Sequence, residues 1–209
     1  MKLIISFLLF TIAASAQAIP VANLEAQGLN VTVVECQGKQ ATRIIAPEQA
    51  ESYALLKDSS FRNGTIEIEL AGKPAAGAFE GARGFVGIAF RVQEDGDRYE
   101  VIYLRPTNGR ADDMLRRNHS TQYTSAPEWP WNRLRQESPG VYESYVDLET
   151  GVWTKYKIVV QGTRAELYVH DAEQPCLIVK DLKLGDVSGG IGLFAGSGTE
   201  AYFANLNVH

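Results

Sequence analysis

The chain has 209 residues, 45% of them hydrophobic and 22% charged, a globular composition that excludes wholesale disorder. Lys and Arg number 20 against 25 Asp and Glu, for a net charge of −5, the wrong sign for duplex nucleic acid or a strongly anionic membrane as a general partner. With 19 Gly, 9 Tyr and 8 Phe, the composition favours strands and turns over long helices.

Lys2 precedes an uncharged, mostly apolar run over residues 3–14. Small residues follow, Ala14-Ser15-Ala16 and then Ala16-Gln17-Ala18. This order predicts a secretory signal over residues 1–18, cleaved after Ala16 or Ala18, and hence a secreted or periplasmic protein. The apolar run is shorter than a bilayer-spanning helix needs, so no membrane partner is expected. Export permits a disulfide between Cys36 and Cys176, and the sequence leaves bonded and free thiols equally open. Two cysteines without a CxxC do not make a cysteine-based zinc site.

Residues 29–35, 42–45 and 53–57 are the first strand candidates. Residues 65–70, T-I-E-I-E-L, alternate strictly, with Ile66, Ile68 and Leu70 on one face and Glu67 and Glu69 on the other. Residues 71–84 read as a mobile, low-complexity loop. Residues 85–91 and 99–105 form a hairpin around Glu94-Asp95-Gly96-Asp97, where Asp-Gly is a strong turn signal. The three turn carboxylates offer oxygen ligands to calcium. A solvated hairpin turn is the better account of them, and no metal or other cofactor is indicated.

Residues 105–135 break the alternation. This stretch holds six of the chain's 12 Arg, two of its 3 Trp (Trp129 and Trp131) and no Lys. It reads as one long connection. Residues 142–148 then read as a strand with Glu143, Tyr145 and Asp147 on one face. A second hairpin spans 152–160 and 165–170, and strands at 176–180, 190–195 and 201–208 complete the set. About a dozen short strands separated by Gly-containing turns, with no repeat and no linker, predict one all-β antiparallel sandwich over residues 19–209.

Arg and Asn donate in planar forks to hydroxyls and carboxylates, and indole faces stack on the apolar side of a sugar ring. The expected partner is a saccharide. Its binding residues are Tyr103, Arg105, Asn108, Arg116, Arg117, Tyr123, Trp129, Trp131 and Arg135, with His119, Glu143 and Asp147 as acid–base groups. The plainer alternative is a connection pinned by Trp plugs and Arg–carboxylate pairs, with Asp112, Asp113 and Glu128 as local partners. Asn-x-Ser/Thr occurs at Asn30, Asn63 and Asn118 and matters only in a eukaryotic secretory host. A phosphate-binding glycine loop, HExxH and GxSxG are all missing from the sequence.

Several stretches together resemble the concanavalin A-like jelly rolls: F-R-N-G-T-I-E-I-E-L, F-V-G-I-A-F-R, R-Y-E-V-I-Y-L-R-P, W-T-K-Y-K-I-V-V-Q-G with A-E-L-Y-V, and the closing G-G-I-G-L-F-A-G-S-G-T-E-A-Y-F-A-N-L-N-V. Within that superfamily the chain is most similar to the 3-keto-disaccharide hydrolase-like domains of secreted bacterial proteins, over residues 55–208. The resemblance implies two curved antiparallel sheets with saccharide bound on the concave face and its rim loops, and it puts residues 105–135 at that rim. The Glu-x-Asp-x-x-Glu strand of glucanases is missing, which disfavours laminarinase-type hydrolysis. The resemblance leaves three roles open: cleavage of 3-keto disaccharides, non-catalytic sugar binding, and laminin G-like protein interaction.

Overall fold

The computed structural model describes residues 16–26, 28–48 and 52–209. The expected leader falls mainly on residues 1–15, outside the described residues. Gln17 already belongs to the sandwich, exchanging hydrogen bonds with Asn205, and Ile19 is buried in the core.

The strands, numbered in chain order, make two seven-stranded antiparallel sheets. The first runs β1 (Leu24–Glu25), β4 (Ser52–Leu56), β13 (Gly190–Ala195), β6 (Val86–Val92), β7 (Tyr99–Leu104), β8 (Thr121–Ala126) and β9 (Glu143–Ser144). The second runs β12 (Leu177–Val179), β11 (Arg164–Val169), β10 (Thr154–Gln161), β5 (Gly64–Pro74), β14 (Thr199–Val208), β3 (Lys39–Ile45) and β2 (Asn30–Cys36). Three short helices, α1 (Pro106–Gly109), α2 (Met114–Arg117) and α3 (Trp131–Glu137), flank β8. This is the all-β two-sheet jelly-roll sandwich that the alternation predicts.

Period-two alternation decides which side chains fill the space between the sheets. Ile66, Ile68 and Leu70 of β5 and Ile158 and Val160 of β10 meet Ile88 and Phe90 of β6 and Ile102 and Leu104 of β7 in one core. A hydrogen bond crosses that core, from the Tyr156 hydroxyl to the Ile102 carbonyl at 2.7 Å. The outer faces differ. The second sheet turns Glu67, Lys155, Lys157 and Glu166 outward. The first carries a separate apolar layer of Ala89, Val101, Tyr99, Tyr103 and Phe194, all buried. There Tyr53 packs edge-on against Tyr99, and Tyr103 lies tilted against Phe194, with ring centroids 5.0 and 5.3 Å apart. The outward positions between them are small, Gly87, Ala89 and Gly192. A Cβ on Gly192 would stand 2.7 Å from the Tyr53 ring, and one on Gly87 2.2 Å from the Ile102 carbonyl oxygen.

Three expectations change, and the open cysteine pairing resolves to free thiols. Residues 71–74 continue β5, paired with β14 from Pro74↔Thr199 to Ala71↔Tyr202, so the expected loop begins later. Residues 105–135 are no single connection, because 121–126 pair with β7 along their whole length. The predicted strand over 142–148 is strand only at Glu143 and Ser144. Beyond them Val146 bonds the Ser120 hydroxyl and the chain leaves the sheet. Both cysteines are free. Cys36 ends β2 and Cys176 precedes β12, at opposite edges of the second sheet, six strand spacings or roughly 29 Å apart. No bond can span that distance. Cys176 is packed against the core, and burial pushes its thiol up to about 12.

Candidate functional site

The register of β7, β8 and β9 builds the site. Tyr103 pairs with Gln122, and Gln122 with Glu143. These three side chains therefore form one row across the outer face of the first sheet. Arg105, two residues past Tyr103, projects to the same side. Its guanidinium donates to the Tyr103 hydroxyl at 3.2 Å and to Gln122 Oε1 at 3.1 Å.

Helix α3 roofs the end of this row. Buried Leu134 anchors it in the core, and Trp131 and Arg135, one turn apart, share the face toward Glu143. Arg135 grips the carboxylate with Nε and Nη2, at 3.0 and 2.6 Å. The guanidinium carbons of Arg135 and Arg105 lie 4.9 and 5.9 Å from the Trp131 ring centroid, within cation–π range. Trp131 itself is 42% exposed. Large rings are usually more deeply covered.

Glu143 is the electrostatic centre. Its side chain is 5% exposed and takes Arg135 directly, His119 Nε2 at 3.2 Å and Arg105 at 3.9 Å. Loss of water holds the His119 imidazole below its ordinary pKa. Glu143 opposes that shift, and the nearby Arg135 and Arg105 charges add to it. A neutral imidazole facing a carboxylate through Nε2 carries its proton there, which leaves Nδ1 as the basic nitrogen.

A cavity of about 640 Å³ opens over this group. Leu115, Asn118, His119, Arg135, Pro139, Gly140, Glu143, Ser144 and Tyr145 line it. Glu143 is the single carboxylate among these lining residues, so the cavity lacks the acid pair of ordinary glycoside hydrolysis. A larger cavity, about 850 Å³, lies at the opposite ends of the strands, by Tyr53 and the β6–β7 turn. Part of its polar lining is already engaged within the turn. Asp95 accepts from Asp97 N, Arg98 N and Arg98 Nε, and Tyr53 donates to the Gly96 carbonyl. Asp95 thus acts within the turn, and no metal-ligating cluster occurs among the described residues.

The structure therefore brings together Tyr103, Arg105, His119, Trp131, Arg135 and Glu143 from the predicted set and adds Gln122 and Tyr145. The others lie elsewhere. Tyr123 points the opposite way from Gln122, into the core, where its hydroxyl bonds Glu100 at 2.5 Å and accepts from Lys183 N; it cannot touch a ligand at the rim. Trp129 packs on the core under Arg133 and Lys183, whose charges stand 3.8 and 4.6 Å from its ring centroid. It is a plug, as the plainer alternative had it. Asn108 is buried between the His119 carbonyl and Arg116 Nε, Arg116 also holds Thr107, and Arg117 bonds the Ala111 carbonyl. These three stitch α1 to α2. Asp147 is exposed and pairs with Arg110, away from the Glu143 cluster.

No family model matches the chain, and no curated protein matches it. Solved structures do. The carbohydrate-binding module CBM66 from Bacillus subtilis superposes with a TM-score of 0.60 at 14% identity, covering 88% of this chain and 93% of that one. A candidate glycosyl hydrolase from Parabacteroides distasonis gives 0.53 at 9% identity, over 88% and 93%. The exoplasmic/lumenal domain of VIP36, solved with Ca2+ and Man3GlcNAc, gives 0.54 at 10% identity, over 93% and 87%. At these identities the likeness speaks to architecture, and the chain has a concanavalin A-like jelly-roll fold.

Proposed function

We propose that the chain is an exported carbohydrate-binding domain that takes its saccharide in the rim cavity beside Trp131. One observation carries this reading: an exposed indole stands next to a pre-bonded set of Arg135, Glu143, His119 and Arg105. An aromatic platform beside fixed donors and acceptors is what a sugar ring needs, since it is apolar on its faces and hydroxylated at its edge. The carbohydrate-binding module and the sugar-bound lumenal domain among its structural neighbours lend support from the fold. Trp131→Ala should weaken saccharide binding at least about tenfold, as loss of a central aromatic anchor does. Exposed as it is, it should leave the fold unchanged. Glycan-array screening followed by calorimetry on wild type and variant measures this. Equal affinity of the two would contradict the proposal.

A second reading is catalytic: cleavage across the glycosidic bond of a 3-keto disaccharide. The His119–Glu143 contact favours it. A keto group acidifies the adjacent C–H, a neutral imidazole held by a carboxylate is a suitable base, and Arg105 or Arg135 can stabilise the enolate oxygen. Turnover of 3-keto but not ordinary disaccharides, abolished in His119→Ala, would establish this reading.

A further inference from the structure

Large apolar side chains left in water are unevenly distributed. The most exposed are Met114 and Leu115 on α2, at 62% and 68%. Val141, Tyr145 and Trp131, at 50%, 46% and 42%, lie in neighbouring segments, while Val33 and Phe79, at 47% and 43%, are as exposed elsewhere on the surface. Leu115, Pro139 and Tyr145 form part of the cavity wall, together with the polar Arg135, His119 and Glu143. Trp and Tyr rings are flat platforms that suit a sugar. Leu and Met are not. They offer no planar face and no hydrogen bond, so a bare saccharide gives them nothing to do. Helix α2 is held in place without them: Asp113 accepts from Leu115 N and Arg116 N, and Arg116 and Arg117 tie the helix back to Thr107, Asn108 and the Ala111 carbonyl. A fixed helix therefore presents two exposed aliphatic side chains, Leu115 lining the cavity and Met114 beside it, next to a lining that also holds Arg135, His119 and Glu143. Scattered apolar residues need no explanation, but a cluster rimming a polar cavity marks a binding surface.

We infer that the ligand is an amphipathic glycoside: a sugar seated against Arg135, Glu143 and Trp131, carrying an alkyl, acyl or aryl substituent that lies on Leu115 and Met114. This inference rests on the saccharide reading and narrows it. The sugar supplies hydroxyls to the polar side, and the substituent covers the aliphatic pair, each methylene removed from water adding a roughly three- to fourfold gain in affinity.

Calorimetry with methyl, butyl and hexyl glycosides of the common hexoses, all below micelle-forming concentrations, tests it. The expected result is a stepwise rise in affinity with chain length. In Met114→Ser/Leu115→Ser the hexyl-to-methyl affinity ratio should fall toward one. Both positions are exposed, so the variant should fold, and circular dichroism checks that it does. Three results would overturn the inference. Methyl and hexyl glycosides binding equally well would refute the apolar subsite and leave the saccharide reading standing. Hexyl binding that survives in Trp131→Ala would show adsorption of the alkyl chain alone, and both readings would fall. No binding of any glycoside at millimolar concentration would also remove both.

Discussion

His119 and Glu143 divide the work at the residue scale. Glu143 supplies a fixed negative charge that orients Arg135, and His119 stays neutral beside it because it has lost water and faces two guanidinium groups. The sign of the pH effect follows. A histidine held below the ordinary value of about 6.5 binds its proton less readily folded than unfolded. Its contribution to stability is therefore intact above the ordinary range and is lost as pH falls through it. Between about pH 7.5 and pH 5 the wild type should lose more stability than His119→Gln, and urea midpoints at the two pH values measure the difference. Equal losses would mean that the imidazole is not held neutral. Much of this cluster is legible in the sequence as residue types. Arg105, His119, Trp131, Arg135 and Glu143 all stand out as polar or aromatic residues in or next to a Lys-free stretch. What spacing cannot show is the direction in which each one points. Tyr123 and Gln122 are neighbours in sequence and lie on opposite faces, and Asp147 leaves the sheet before it can join Glu143.

At the scale of elements, the outer layer of the first sheet depends on its small positions. Tyr53, Tyr99, Tyr103 and Phe194 lie over Gly87, Ala89 and Gly192, and this aromatic layer supports Arg105, whose guanidinium carbon sits 5.4 Å from the Tyr103 ring centroid. Gly87→Ala should destabilise the fold by about 3 kcal/mol, because its Cβ meets backbone of β7 that cannot yield. Urea denaturation gives the value, and a change below about 1 kcal/mol would show that the sheet can shift. Strands with one apolar face, such as β5 and β10, are easily read from alternation. Strand β8 is not. Its inward residues are Thr121, Tyr123 and Ser125, and its outward ones Gln122, Thr124 and Ala126, so neither face carries an apolar pattern. Its burial comes from neighbouring strands and helices, which local sequence does not record. The same holds for β9, two residues long and defined entirely by its partner.

Across the whole molecule, the two sheets serve different ends. The second is largely charged outside, apart from a small buried cluster of Ala41, Ala71 and Tyr202. The first is aromatic outside and ends in two cavities at opposite ends of its strands. The larger cavity is bounded in part by the turn in which Asp95 is bonded to Arg98, and the smaller is lined by Arg135, His119, Glu143 and Tyr145, with the Trp131 indole next to Arg135. Saccharide, on the reading proposed above, occupies the smaller one. A titration of isotope-labelled protein with the best-bound glycoside, followed by NMR, tests it most directly. The prediction is that the Trp131 indole, Arg135 and Tyr145 signals move first and most, with Tyr53 and residues 94–98 unmoved. Leading shifts at Tyr53 and the β6–β7 turn, with Trp131 silent, would contradict it.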